Sequence, residues 1–364
     1  MGRSHGYNIP QTSPMPTRRS FLSAAVQSAL LLAVRAQTSG PTLLTRPDVA
    51  VIDRERILAA AAHALNRASE QNSTRVGFLH LTLDLPALAA AVLLDPAKAT
   101  LYNAQAARLL QAAFVDPATR LSATPAFTSI EPITDRAALA EIAVAIPFFA
   151  SDAALLAACR DWFTAYLNYL LNNRTALLAR DAPDHNGGAW LLQAAAAARL
   201  DASGPGGNDQ TLTELRHRFR TPTLRAQISP AGFFQNELPT PNPYRNSLFN
   251  LDMMAGACIL LSTRFESVWN FELPDGPGMR SAVARHAPYI ADRNTWPLPA
   301  DETHFHQLPC RRPALVLAAR AFQQPEYATL WRSLQPAQPD DPDLLYAFPI
   351  RQPLLWLRQT LLLG

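Results

Sequence analysis

Between Arg54 and Leu334 the chain is a succession of alanine- and leucine-rich segments whose apolar residues recur at helical spacing, each stopped by proline, glycine or asparagine. This punctuation constrains the fold more than any other feature. Proline pushes the residue before it toward extended backbone and is pre-set for a helix's first turn, so such a chain alternates helix and turn. From Arg54 to Ala68, Ile57, Leu58, Ala61, Ala62 and Leu65 form one apolar face, and Asp53 is placed to cap the first amides. Leu79–Leu94 and Ala99–Phe114 follow, divided by Asp95-Pro96, and then Ala137–Phe149, Asp152–Asn172 and Ala189–Leu200. Beyond the Gly/Pro-rich turn Ser203 to Asn208, a helix and loop run to Asn236. Further helices are predicted at Ser247–Arg264, Met279–Ala291, Arg312–Phe322 and Pro325–Leu334. No strand pattern of comparable length interrupts them. With 31 prolines, 14 glycines and 48% hydrophobic residues, the composition excludes both disorder and a β-sandwich. Repeated pairing of segments suggests antiparallel hairpins, as in bundles, solenoids or toroids, and no strict repeat chooses among these.

The net charge of +3 is spread over scattered arginines, with Lys98 the only lysine, so the field does not point to nucleic acid, and no nucleic-acid partner is expected. An anionic substrate is compatible with it. Cys159, Cys258 and Cys310 lack CxxC spacing and are odd in number, so neither a disulfide framework nor a zinc knuckle follows. At the N-terminus, Thr17-Arg18-Arg19-Ser20-Phe21-Leu22 joins two arginines to an apolar stretch, Phe21 to Val34, interrupted by Gln27 and Ser28, and the small residue Ala36 closes the segment. That is the layout of a twin-arginine export signal over residues 1–36, with an amphipathic helix in a cytosolic tail as the alternative. A linker over 37–49 and one domain over 50–364 complete the expected organisation. The mature chain is then periplasmic or secreted, without stable membrane insertion, since no later window reaches roughly 18 uninterrupted apolar residues.

Three polar constellations stand out. Asp184-His185-Asn186-Gly187-Gly188-Ala189-Trp190-Leu191-Leu192-Gln193 sets a polar cluster and two glycines before a helix, where backbone amides can hold an anion and His185, Asn186 and Gln193 add side-chain donors. A helix cap with a loop glycine pair would read the same way. Gly232 to Leu251 mixes Glu237, Tyr244, Arg245, Asn246, Ser247 and Asn250 with three prolines, a rigid loop able to present acid, base and carboxylate-binding groups, or simply an ordered surface loop. His304, His306 and Cys310 could ligate a metal, but no third ligand type is evident nearby. Ordinary loop histidines fit as well, and no metal or other cofactor is expected.

Gly187 to Gln193, then Gln235-Asn236-Glu237-Leu238 leading into Asn242-Pro243-Tyr244-Arg245 and Ser247-Leu248-Phe249-Asn250-Leu251, resemble two signature blocks of the alginate lyase family of polysaccharide lyases. Phe114-Val115-Asp116-Pro117-Ala118-Thr119-Arg120 resembles a segment after an early hairpin of that family. Trp269-Asn270-Phe271 through Asp275-Gly276 to Trp296-Pro297 resembles its late loop. The resemblance implies an all-α fold, the (α/α) toroid with a deep cleft, and β-elimination of uronic-acid polysaccharides outside the cytoplasm. The expected partner is an acidic polysaccharide or oligosaccharide, and a monomer is expected.

Elimination removes the C5 proton of a uronate, so the carboxylate must be neutralised, a base must take the proton and an acid must serve the departing O4. In the family these tasks resemble an Asn-Asn-His triplet and an Arg and a Tyr in the second block. Here the triplet reads Asp184-His185-Asn186, Thr240 holds the arginine position and Asn246 the tyrosine position, with Tyr244 and Arg245 as neighbours. The aromatic-rich loop expected after the first helix has only Ser69 to Gly77 available. As an enzyme the chain would use His185, Asn186, Tyr244 and Asn246 at the catalytic positions. Arg245, Asn250, Glu237, Trp190 and Gln193 would bind substrate. As a binding protein it would hold an acidic glycan uncleaved. A third reading is a lyase for a neutral sugar or another substrate whose base lies elsewhere, for instance at His304 or His306.

Overall fold

A computed structural model describes residues 46–361 apart from 68–71, 73, 127–128, 151, 205–206, 208, 337–343 and 346–347. The expected export signal and most of the expected linker therefore lie outside the described residues, as does much of the shortened loop after the first predicted helix. The chain from Leu43 onward forms one compact unit.

The helices are α1 (Arg46–Ile52), α2 (Arg54–Asn66), α3 (Arg75–Leu94), α4 (Ala99–Leu110), α5 (Glu131–Asp135), α6 (Leu139–Ala145), α7 (Ala153–Asn172) and α8 (Arg174–Asp181). They continue as α9 (His185–Ala202), α10 (Gln210–Arg218), α11 (Leu224–Gln227), α12 (Pro243–Leu261), α13 (Met279–Ala291), α14 (Pro313–Phe322), α15 (Pro325–Ser333) and α16 (Pro353–Leu361). Among the described residues the only β pairing is a single bridge between Glu272 and Gly278.

Two kinds of helix alternate, and their composition decides their layer. On α9 every residue from Asn186 to Ala198 is buried, and α12 is buried along nearly its whole length. A helix apolar all round must be covered on every side. By contrast α2 buries only Ile57, Ala61 and Ala64, and α4 only Tyr102, Ala106 and Leu110, one stripe each. The covered helices make an inner ring: α3 packs on α6, α6 on α9, α9 on α12, α12 on α14, α14 on α16, and α16 returns to α3. The striped helices α2, α4, α7, α10, α13 and α15 lean on it from outside. This is an (α/α) toroid. Helix α3 is long and apolar enough to match a membrane span by composition, yet it lies in this inner ring with Asp84 buried and paired to Arg67 at 2.9 Å.

The starts of the inner helices meet at one end of the ring. Thr134, just ahead of α6, donates to Asn186 Oδ1 in the first turn of α9 at 2.8 Å. Glu141, on α6 and fully buried, accepts the backbone N–H groups of Arg351 and Gln352 just before α16, and the Trp356 indole. Arg312, before α14, pairs with Asp252 and reaches Leu248 O on α12 at 3.2 Å. Burying these carboxylates raises their proton affinity, Asp252 to about 6, and each is retained by the donors aimed at it.

Several boundaries differ from the sequence reading. Helix α9 begins at His185, so Gly187 and Gly188 lie inside the helix. Helix α12 begins at Pro243, so Tyr244, Arg245 and Asn246 are helical and do not belong to a loop. The first start is set by a local cap and the second by a residue remote in sequence. Asp184 caps α9 by accepting from Asn186 N at 3.0 Å, and Asp301, more than fifty residues away, accepts from Tyr244 N and Arg245 N at the start of α12. Asp53 makes no side-chain cap. Its carboxylate is taken by Arg56 at 3.0 Å and Arg311 at 2.6 Å. Helix α1 extends across the expected linker boundary, and α16, which closes the ring, was not anticipated.

Candidate active site

The two polar blocks come together at the ring end where α9 and α12 begin. Glu237 is fully buried and holds three donors. Its Oε1 accepts the His185 backbone N–H at 2.5 Å and Asn250 Nδ2 at 3.2 Å, and its Oε2 lies 2.8 Å from His185 Nδ1. Since a carboxylate only accepts, Nδ1 carries the proton, and neutral His185 keeps its lone pair on Nε2. That nitrogen bonds to none of the described residues, and the His185 side chain is 22% exposed. Burial alone would lower the His185 pKa, but the hydrogen bond and charge of Glu237, helped by Asp184 and opposed by Arg245, raise it above 6.5. A buried carboxylate thus fixes the tautomer, orientation and basicity of one partly exposed imidazole.

Behind this pair Gln227 ties the assembly. Its Nε2 donates to Ala182 O and Asp184 O at 3.0 and 2.8 Å, and its Oε1 accepts from Asn250 Nδ2 at 2.7 Å. Gly188 is required for the close approach, because a Cβ there would run into Asn250 Oδ1. Gly188 therefore serves the contact between α9 and α12, Gly187 leaves room for Ala182 O and Gln227 Nε2, and the pair, lying inside the helix, does not form an anion-binding loop.

Arg245 stands near His185, within electrostatic range, and its guanidinium donates to Thr303 Oγ1 at 3.1 Å. Thr303 is itself tied to Asn242 Oδ1 through both its N–H and its hydroxyl, at 3.0 and 2.9 Å. With Asp301 holding the Arg245 backbone N–H at 2.7 Å, a loop remote in sequence sets the position of this half-buried cation.

Other expected site residues have different tasks. Tyr244 is fully buried, donates its hydroxyl to Tyr289 O at 2.8 Å and packs against Trp296 and Phe305. Burial pushes its pKa up, so this phenol is a core group and not a base or acid facing a ligand. Asn250 and Glu237 are wholly inaccessible and position His185, where substrate contact was expected of them. Trp190 is buried with its indole N–H on Leu170 O, and Gln193 cross-links Tyr166, Ile133 and Ala189 inside the ring, so neither is a substrate contact. Asn186 is nearly inaccessible and has both amide atoms engaged, with Asp184 and Thr134. Asn246, half-buried, donates to Thr240 Oγ1 at 3.2 Å, and Thr240 in turn donates to Glu237 O. The two positions where an arginine and a tyrosine are expected thus bond to each other.

Neither His304 nor His306 is hydrogen-bonded to His185 or Glu237. His304 Nδ1 is 2.5 Å from Gln307 Oε1, and Cys310 is buried, with burial first among the causes that push its thiol up to about 11. Among the described residues no group of three His, Cys, Asp or Glu is arranged to hold a metal ion. Gln227, Asp301 and Thr303 escaped the sequence reading. They lie outside the two blocks or at their edges, and nothing in their local pattern distinguishes them from surface polar residues.

The family model described as alginate lyase matches residues 66–296. Among solved structures, the crystal structure of an alginate lyase from Bacteroides ovatus aligns with a TM-score of 0.69 at 17% identity, covering 82% of this chain and 93% of that one. No curated protein matches the chain.

Proposed function

The chain belongs to the alginate lyase family, and from that premise we propose that it cleaves a uronic-acid polysaccharide by β-elimination with His185 as the reacting group. One observation supports this above all others: the partly exposed His185 imidazole is held by the buried Glu237 with Nε2 bonded to none of the described residues. In this reading Arg245 lies against the substrate carboxylate and stabilises the charge that develops as C5 loses its proton. Nε2 takes that proton, the C5 electron pair forms the C4=C5 double bond, and O4 departs with its bonding pair. The imidazolium then returns the proton to O4.

With Tyr244 committed to the core, one residue serves both steps, so C5–H and O4 must lie on the same face of the ring. Mannuronate and glucuronate meet this requirement; guluronate and galacturonate do not. The purified chain should therefore form unsaturated product, followed by ultraviolet absorbance, from polymannuronate or glucuronan and not from polyguluronate. His185→Ala should abolish that product. Absence of product from every polyuronate, or cleavage surviving in His185→Ala, would sink the proposal.

A second reading, a protein that binds the acidic glycan without cleaving it, draws support from the internal engagement of Asn186, Asn246 and Thr240. It predicts polyuronate binding by calorimetry with no unsaturated product. We further propose that residues 1–36 direct twin-arginine export and that the mature chain is a periplasmic or secreted monomer without membrane insertion. Changing Arg18 and Arg19 to Lys should block export, and an intact Met1 in protein recovered from the periplasm would refute cleavage near Ala36.

A further inference from the structure

A cavity of about 500 Å³ opens at the seam where the first hairpin, α2 and α3, meets the segments leading into α14 and α16. None of its lining residues belongs to the His185 site. Its lining combines apolar Leu79, Leu83, Phe348 and Trp331 with four arginines against two aspartates, beside His63 and His80. These arginines are fixed in place. Arg56 and Arg311 share Asp53, Arg67 is held by Asp84, and Arg351 donates to Thr82 O and Oγ1. Arg311 also lies across the Trp331 ring, 4.8 Å from its centroid.

Such a lining keeps excess positive charge beside apolar surface without the cost of ordering long side chains at the moment of binding. The volume falls in the roughly 300–1,000 Å³ range of small-molecule sites. A compact inorganic anion would leave the apolar lining unused, and a neutral apolar molecule would leave unmatched the surplus positive charge that remains after Asp53 and Asp84 pair with Arg56, Arg311 and Arg67. The combination suits a carboxylate attached to a ring with an apolar face, read through bidentate guanidinium contacts.

We propose that the seam cavity is a binding site for a small ring-bearing carboxylate, distinct from the lyase cleft. Two sources share this chemistry, a uronic acid and an aromatic acid. The full chain would be titrated by calorimetry with glucuronate, with 4-hydroxybenzoate and with inorganic phosphate. The expected result is binding of at least one ring carboxylate, with phosphate weaker by about tenfold or more. Ala60→Trp, which fills the cavity and removes no polar partner, should eliminate the binding. Arg56→Gln, at a side chain that is 33% exposed, should weaken it about tenfold and is read by itself if the tryptophan lowers Tm. His185→Ala should leave it unchanged. The proposal is overturned if neither ring carboxylate binds, if phosphate binds as well as they do, or if Arg56→Gln binds like the wild type. It is equally overturned if His185→Ala removes the signal, since the ligand would then sit in the lyase cleft.

Discussion

Replacing Glu237 with Gln keeps the shape of the side chain and removes its charge, which isolates what the buried carboxylate does for His185. Three donors converge on its two oxygens. The amide offers one oxygen and one NH2. If the oxygen keeps the His185 N–H and Asn250, the NH2 faces Nδ1, and the ring must move its proton to Nε2 to avoid donor against donor. The lone pair needed at C5 is then lost. Turnover should fall by about 10²–10⁴-fold, the scale of general-base loss and of a wrong imidazole tautomer. Losing charge-assisted hydrogen bonds in a buried site should also cost roughly 1.5–3 kcal/mol of stability.

The pKa of His185 gives a readout that needs no substrate. In the wild type it stands above 6.5 because Glu237 outweighs burial, and in the variant burial remains, so its titration should move to lower pH. A raised pKa adds stability that is full below the unfolded value of 6.5 and lost as pH rises through the folded value. The Tm gap between wild type and variant should therefore be widest at acid pH and narrow above it. Initial rates, Tm and the imidazole proton shifts in NMR would be followed from about pH 5 to pH 9. A variant with wild-type rates and an unmoved His185 titration would refute the pairing as the source of basicity.

Tyr244→Phe should leave kcat nearly unchanged and lower stability by about 0.5–1.5 kcal/mol, read by urea melts, because it removes only the hydrogen bond to Tyr289 O. Arg245→Ala should raise KM for polyuronate about three- to tenfold and lower kcat as well, since the charge it faces grows as C5 loses its proton, with the KM effect shrinking at high salt, as befits a half-buried cation facing an anionic polymer. Gly188→Ala should cost roughly 1–3 kcal/mol and also reduce turnover, since its methyl displaces Asn250 from Glu237. Gly207→Ala, away from the site, is the control for turnover.

The helical class and most helix positions follow from the sequence itself, because apolar spacing and proline placement are local properties. Met279–Ala291 matches its expected bounds, and Pro325–Ser333 differs by one residue. The alternation of predominantly apolar helices such as α12 with striped helices such as α2 is also written in the chain, and it separates inner from outer layers. That the polar blocks around His185 and Glu237 belong side by side was legible. What each residue does there was not, because the role of a polar side chain depends on what it meets and how much water reaches it. Asp301 starts α12 from more than fifty residues away, and Gln227 links helices that carry no shared pattern. Burial turned Tyr244, Trp190 and Gln193 into parts of the core and left His185 partly exposed with Glu237 behind it. Those outcomes belong to the tertiary structure, since hydrogen-bond partners and desolvation arise only when distant segments pack together.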